Sequence, residues 1–276
     1  MIRPALADDA FLADVRGAGD GPRIWWLGQS GFLLRWQGRH LLLDPYLSDS
    51  LTRKYAATDK PHVRMTGRVV APERLDFIDA VTSSHNHTDH LDAETLVPLL
   101  GANPSLAIVV PEANRDFAAG RIGVEAARLI GIDDGTEVDV AGFRLHGVAS
   151  AHETVERDGA GRAKFLGYVV EFGHWRVYHS GDTVRYPGLE DRLRPWAVDV
   201  ALLPINGARP ERRVAGNLNA REAARLARDI GARLVVPCHY EMFEFNTASP
   251  GEFAAHAARV GQPFRVLRCG EGLTIA

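Results

Sequence analysis

The order of apolar and polar residues along the chain predicts alternating strands and helices. Short runs of apolar residues are typical of strands, and apolar residues at helical spacing are typical of amphipathic helices. By this pattern the strands lie at 24–27, 32–36, 40–43, 106–110, 143–149, 165–172, 175–178, 198–203, 234–236 and 264–267. The helices lie at 93–100, 112–119, 219–230 and 253–260. Strand blocks interleaved with helices predict two β-sheets packed face to face, each covered by helices.

Two regions lie outside this regular pattern. Residues 1–22 are predicted to be an irregular or helical lead-in that ends in a stretch rich in glycine and proline. Residues 48–68 form a long polar stretch, and loops of this length in compact enzymes are often lids or substrate loops. A solvated connector is the alternative interpretation of this stretch.

The turn Gly28-Gln29-Ser30-Gly31 is superficially similar to the turn that carries a nucleophilic serine in many hydrolases. The required pattern is Gly-x-Ser-x-Gly, and it fails because Phe32 stands where the last glycine should be. Ser30 is therefore predicted to be a turn residue and not a nucleophile.

Composition narrows the class of protein. The formal net charge of −3 argues against nucleic acid as a partner, because phosphate binding relies on clustered lysine and arginine. Two cysteines, Cys238 and Cys269, do not form a disulfide framework and favour the reducing cytoplasm. We expect neither a signal peptide nor a membrane-spanning segment, because no apolar run is long enough. The expected partner is a small-molecule substrate, and the sequence leaves open whether the chain forms a homo-oligomer.

The segment His85-Asn86-His87-Thr88-Asp89-His90 carries the strongest chemical signal in the chain. Imidazole and carboxylate groups are the usual ligands of catalytic metal sites that leave a coordination position open for water. In an extended chain His85 and His87 would point to the same side, since side chains alternate with a period of two. Asp89 and His90 fall where we expect the chain to turn into a helix, so they could face a second point. The segment could therefore serve two metal ions.

Three more candidate ligands follow strand-like runs farther along the chain. They are His152, Asp182 and His239. Loops at strand ends, held by a rigid sheet, are a usual place for functional side chains. Because the candidates extend from His85 to His239, one site would tie together most of the chain, which favours a single domain over residues 1–276.

The motif His-x-His-x-Asp-His, followed by a histidine, an aspartate and a last histidine, resembles the signature of the metallo-β-lactamase superfamily, a group of mostly hydrolytic metalloenzymes. The resemblance implies an α/β fold, the four-layer αββα sandwich with two mixed sheets packed face to face. Within the superfamily, the chain is similar to the branch related to L-ascorbate-6-phosphate lactonase. The segments that carry this second similarity are 26–32, 43–49, 203–207, 216–217, 222–224, 237–243 and 246–247.

The resemblance also implies a centre of two divalent metal ions. The first ion would be held by His85, His87 and His152, and the second by Asp89, His90 and His239. The bridge between the two ions would be Asp182. Ligands of this kind, without cysteine sulfur, accept zinc, manganese or iron, and we expect zinc or manganese. A hydroxide between the ions would be the nucleophile, so no serine or cysteine nucleophile is required. Candidates for orienting the ligands are Asp44, His179 and Thr183.

The function predicted from these features is a metal-dependent hydrolase that acts on a small anionic lactone or ester. Asp89 and His179 are the candidate catalytic residues. Arg53, Lys54 and Asn206 are the candidates for binding the substrate, since a basic group near a metal centre could seat a phosphate or a carboxylate. Two alternatives stay open: a phosphodiesterase of the same fold, and a metal-binding relative without catalytic activity.

Overall fold

Thirteen β-strands build the centre of the molecule, which a computed structural model describes over residues 1–276. In chain order they are β1 Arg23–Gly28, β2 Gly31–Trp36, β3 Arg39–Leu43, β4 Ala80–Thr82, β5 Ala107–Pro111, β6 Ile130–Ile132, β7 Glu137–Val140, β8 Phe143–Ala149, β9 Leu166–Phe172, β10 Trp175–His179, β11 Val200–Pro204, β12 Leu234–Cys238 and β13 Gly272–Thr274. A seven-stranded sheet has the order β13-β1-β2-β3-β4-β5-β6, and a six-stranded sheet has the order β12-β11-β10-β9-β8-β7.

Each sheet is antiparallel in one part and parallel in the other. The first sheet is antiparallel from β13 to β3 and parallel from β3 to β6. The second sheet is antiparallel from β7 to β10 and parallel from β10 to β12. The two sheets therefore have the same plan, and the predicted α/β fold with two mixed sheets is confirmed.

Seven α-helices accompany the sheets. They are α1 Asp8–Gly17, α2 Ser50–Tyr55, α3 Ala93–Ala102, α4 Arg115–Ile122, α5 Leu189–Leu193, α6 Ala220–Asp229 and α7 Pro250–Val260. Helix α4 contacts α3 and β5, whereas α6 contacts α7, β11 and β12, so each sheet carries its own helices. The start of α6 is fixed by a capping box in which Asn219 and Glu222 each accept a hydrogen bond from the other's backbone N–H, at 3.0 Å.

One apolar core holds these layers together. A cluster of 70 buried residues extends from Phe11 to Ile275. All five residues of β11 are buried, because both faces of a central strand in such a fold are covered. The burial of this much apolar surface makes the sheets a rigid support for the loops at their strand ends.

The predicted strand at 264–267 is wrong. Only Phe264 forms a β-bridge, with Val235 of β12, and the following residues leave the sheet. The chain turns away because its last strand, β13, pairs with β1 at the edge of the other sheet. The apolar run at 264–267 is therefore part of the connection between the two sheets and not a strand.

The polar stretch 48–68 contains helix α2, which the sequence pattern did not predict. Strands β4, β6, β7 and β13 and helix α5 were also missed. These elements have three to five residues each, which is too few for the spacing of apolar residues to distinguish a strand or a helix from a loop.

All the helices of the structure fall short of the length and apolar content that crossing a membrane would require.

Candidate metal centre

The predicted metal ligands lie in loops that leave the carboxyl ends of four strands. The loop after β4 carries the histidine-rich segment, and the loops after β8, β10 and β12 carry His152, Asp182 and His239. The strands belong to both sheets, so the centre lies at one end of the interface between the sheets. The structure brings all seven predicted ligands together there.

The segment from His85 to His90 is a series of bends and turns. The prediction from alternating side chains had required an extended chain here. The backbone N–H of His90 donates to the carbonyl of His87 at 3.1 Å, and helix α3 begins only at Ala93. His85 and His87 still reach the same place, because the turns bring their rings to 4.6 Å between centroids. The two side chains therefore lie together as expected, but because of turns in the backbone and not because of an extended strand.

Three groups of three side chains could each hold a cation; the group of Asp44, His85 and His90 overlaps both of the others, and those two have no residue in common. The first of those two is His85, His87 and His152, and the second is Asp89, His90 and His239; within each group the ligand atoms lie within 4.8 Å of one another. His87 is exposed, whereas His85 and His152 are buried, so the first group opens to solvent on one side. A catalytic metal site needs such an open position.

Asp182 lies between the two groups. Its Oδ2 atom is 3.5 Å from His152 Nε2, 3.3 Å from His90 Nε2 and 3.3 Å from His239 Nε2. One carboxylate oxygen thus faces histidines of both groups, which is the position of a bridging ligand. The loop comes this close because Gly181 has a φ of +57°, and a Cβ atom there would lie 2.6 Å from Ser84 Cβ.

The protonation states of His85 and Asp182 suit metal ligands. Burial, together with the neighbouring His90 and His87, holds the pKa of His85 well below its usual value, so this imidazole is neutral at neutral pH. Burial raises the pKa of Asp182, but His90 and His239 lower it by more, so the net pKa is well below its usual value. A neutral imidazole and an ionised carboxylate are the forms that bind cations.

Unpartnered nitrogen atoms show that the residues fit a metal. His85 Nε2 and His90 Nε2 are buried and have no well-directed hydrogen bond. A buried polar atom without a partner costs about 1–3 kcal/mol, so native structures rarely leave such atoms together. Two cations would satisfy these nitrogens, and imidazole nitrogen with carboxylate oxygen is a donor set that suits zinc or manganese.

The predicted orienting residues support the ligands from behind. Asp44 is fully buried and accepts a hydrogen bond from His90 Nδ1 at 2.7 Å. The Thr183 hydroxyl accepts from the backbone N–H of Ala151 at 3.1 Å and so holds the loop of the adjacent His152. His179 donates through Nε2 to the carbonyl of Ser30 at 2.9 Å.

His179 is buried and does not line the cavity above the metal centre. Its hydrogen bond fixes the turn at Ser30, which is a turn residue as the sequence indicated. The geometry therefore supports a positioning role, and a direct catalytic role for His179 stays a prediction. Asp89, the other candidate catalytic residue, does line the cavity.

A cavity of about 390 Å³ opens above the metal ligands. Lys54 lines it, whereas Arg53, the adjacent residue of α2, points away and pairs with Glu94. Asn206 is buried behind the wall and accepts a hydrogen bond from Asn217 Nδ2 at 3.1 Å. Of the three predicted substrate-binding residues, only Lys54 faces the cavity.

Several cavity residues were not predicted from the sequence. They include the aromatic side chains of Tyr55, His62, Phe243 and Phe245 and the amide side chains of Gln29, Asn217 and Asn246. His62 stacks on Tyr55 with 4.2 Å between ring centroids, and Phe245 lies 4.4 Å from His62. The similarity to a branch of the superfamily was the one sequence signal that covered some of them: Gln29, Asn217, Phe243 and Asn246.

The comparisons with known proteins agree with this fold and site. A family described as a beta-lactamase superfamily domain matches residues 39–240. A UPF0173 metal-dependent hydrolase of Rubrobacter xylanophilus is 30% identical over 265 residues, which cover 92% of this chain and 96% of the relative. Among solved structures, a metallo hydrolase from Ignicoccus hospitalis matches with a TM-score of 0.68 and 20% identity, over 92% of this chain and 98% of that one. An isothiocyanate hydrolase from Delia radicum gut bacteria matches with a TM-score of 0.71 and 19% identity, over 92% and 100%.

The match to the superfamily covers most of the chain, and the relative from Rubrobacter xylanophilus is similar over nearly its whole length. Two mixed sheets with a histidine and aspartate centre at their edge define a metallo-hydrolase of the metallo-β-lactamase fold. The chain belongs to this superfamily and, within it, to the UPF0173 metal-dependent hydrolase family. It is a metal-dependent hydrolase.

Proposed function

We propose that the protein binds two divalent cations, zinc or manganese, and hydrolyses a small anionic ester or lactone. The observation that carries this proposal is the position of Asp182 Oδ2, within 3.5 Å of histidines from both ligand groups at the floor of the cavity. Two ligand groups that share one carboxylate are arranged for two cations and not for a single tetrahedral one.

The residues divide the chemistry between them. His85, His87 and His152 would hold one cation, Asp89, His90 and His239 the other, and Asp182 both. Two divalent cations bound at this place would polarise a substrate oxygen and would lower the pKa of a water molecule to near neutrality.

Asp89 is suited to take up the proton that water loses. Burial raises its pKa, but His90 and His239 lower it by more, so the side chain is a carboxylate at neutral pH. It also lines the cavity, where a water molecule and the substrate can reach it. The buried ligands below it exclude bulk solvent from the other side, which strengthens electrostatic interactions at the cavity floor.

The cavity wall supports an anionic substrate. Its cationic residues are Lys54, Arg121 and Arg213. Arg213 pairs with Asp59, and Arg121 donates to the backbone carbonyls of Asn86 and Leu91. Lys54 has no salt bridge, and its ammonium lies 5.1 Å from the centre of the Tyr55 ring. A free ammonium on the wall can therefore bind a phosphate or carboxylate group of the substrate.

The volume of the cavity limits the substrate to a small molecule. About 390 Å³ is near the lower end of the range for ligand pockets, roughly 300–1,000 Å³. The aromatic side chains of Tyr55 and Phe245 give the wall an apolar part beside Lys54, so an ester with one charged end and one apolar part fits its chemistry.

Activity profiling after reconstitution with zinc or manganese tests the proposal. The panel contains matched anionic and neutral carboxylic esters and lactones, phosphodiesters, and an isothiocyanate, because a neighbour of the same fold is named for isothiocyanate hydrolysis. We expect the highest kcat/KM for an anionic ester or lactone. A higher value for phosphodiesters would assign the protein to the phosphodiesterase alternative. Full metal loading without turnover of any compound would favour the metal-binding relative without catalytic activity.

A further inference from the structure

The side chain of Gln29 reaches the second ligand group, although it is not part of the metal-binding motif. Its Nε2 atom lies 2.7 Å from Asp89 Oδ2 and 3.0 Å from His239 Nε2. The residue is 1% exposed and lines the cavity. Its Oε1 atom is buried and has no hydrogen-bond partner.

The backbone holds this side chain at the metal centre. Gln29 has a φ of +50° and His239 a φ of +62°, a region that few residues other than glycine adopt. The Gln29 carbonyl accepts from the backbone N–H of His239 at 2.8 Å and from Trp26 Nε1 at 3.0 Å. Two unfavourable backbone conformations joined by a hydrogen bond indicate a functional constraint.

We propose that Gln29 is a ligand of the second cation, through Oε1. A half-turn of the amide exchanges its oxygen and nitrogen, because the two atoms occupy nearly equivalent positions. The amide oxygen then lies beside Asp89 Oδ2 and His239 Nε2, so that three lone pairs converge. Such an arrangement is repulsive unless a cation lies among them.

A cation also resolves the unpartnered oxygen. Without one, Nε2 donates to Asp89 while Oε1 stays buried with no partner, at a cost of about 1–3 kcal/mol. With one, the oxygen has a partner, since an amide oxygen is an ordinary ligand of hard divalent cations. This inference rests on the proposed two-cation centre.

Calorimetric titration of chelator-treated protein with zinc chloride and, separately, manganese chloride tests the role of Gln29. The variants are Gln29→Met, which is similar in size and has no oxygen, and Gln29→Glu, which keeps an oxygen but cannot donate as a carboxylate. Gln37→Met is the matched control, because Gln37 also has a positive φ, +47°, and is exposed in the hairpin between β2 and β3.

We expect wild type, Gln37→Met and Gln29→Glu to bind two ions, and Gln29→Met to bind one ion normally and the other roughly tenfold or more weakly, the scale of a lost supporting group. Unfolding temperatures in chelator check that each variant folds, and Gln29→Asn, whose amide is too short to reach, replaces Gln29→Met if that variant does not.

Two ions bound by Gln29→Met with wild-type affinity would overturn the inference. A loss in Gln29→Glu equal to that in Gln29→Met would overturn it too, because the amide would then act only as a donor to Asp89. Fewer than two ions in wild type would overturn the two-cation centre itself.

Discussion

The carboxylate of Asp44 accepts a hydrogen bond from Nδ1 of His90 at 2.7 Å, and both side chains are fully buried. This bond places the proton of the imidazole on Nδ1 and leaves the Nε2 lone pair directed at the metal centre. We expect Asp44→Asn to weaken binding of one cation by roughly 10- to 100-fold, the usual effect of removing such a partner. A calorimetric titration with zinc measures it.

Thr82→Val is the control for this prediction. The Thr82 hydroxyl donates to the same carboxylate at 3.3 Å, so its loss removes that hydrogen bond and leaves the bond from His90 in place. We expect Thr82→Val to lower the free energy of unfolding by about 1 kcal/mol with much less effect on zinc affinity. Equal losses of affinity in the two variants would show that Asp44 acts through general packing.

Binding of a cation should release a proton from His90. Burial lowers the pKa of His90, but Asp182 and Asp89 raise it by more, so the net pKa is well above its usual value. The imidazole is therefore protonated in the cation-free protein at neutral pH, and the proton must leave when Nε2 binds a metal. The bound state carries fewer protons, so affinity rises with pH, by about tenfold per unit while His90 is protonated.

Calorimetry in two buffers with different enthalpies of ionisation measures this proton release directly. We expect the observed enthalpy to depend on the buffer at pH 7 and the dissociation constant to increase at pH 6. An enthalpy independent of the buffer would mean that His90 is already neutral before the cation binds.

Lys54 and Arg53 form a natural pair of test and control, because they are adjacent in α2 but face different surroundings. Lys54 lines the cavity without a salt bridge, and Arg53 pairs with Glu94 outside it. We expect Lys54→Ala to raise KM for an anionic ester about tenfold, which corresponds to ~1.4 kcal/mol, and to leave a matched neutral ester nearly unchanged. Arg53→Ala should change neither. Equal effects of Lys54→Ala on both esters would remove Lys54 from the binding site.

Asp182→Asn should abolish most activity and destabilise the cation-free fold much less severely. Asparagine is nearly isosteric with aspartate but neutral, so it is a poor bridge between two cations. We expect kcat to fall by roughly 100-fold or more, the scale seen when one preorganised group is removed from an active site. The unfolding temperature in chelator should fall, because His90 and His239 stabilise the carboxylate in the folded protein, and the increase on adding zinc should become smaller. Near-normal turnover would show that Asp182 is not the bridge.

The sequence predicted which side chains come together at the candidate metal centre, because histidines and aspartates follow strand-like runs in a fixed order. The motif after β4 and the later His152, Asp182 and His239 needed no three-dimensional information. The α/β fold followed in the same way from long apolar runs that are buried on both faces, as in β11.

The rest of the site depends on contacts that pattern cannot show. Gln29 and His239 are 210 residues apart in the chain, and only the folded backbone brings them together. Lys54 and Arg53 could not be distinguished, because the polar stretch gave no sign of helix α2, whose turn decides which side chain faces the cavity. Asn206 follows β11 within a segment similar to relatives, but it is buried and contacts Asn217 instead of the cavity.

The number of cations bound per chain tests the central proposal most directly. Protein treated with chelator, loaded with excess zinc or manganese and freed of unbound metal by gel filtration is measured by elemental analysis, with Asp182→Asn beside it. We expect close to two ions per wild-type chain and fewer in Asp182→Asn, since the Oδ2 atom of Asp182 faces histidines of both ligand groups. One ion or none per wild-type chain with both metals would contradict a two-cation centre.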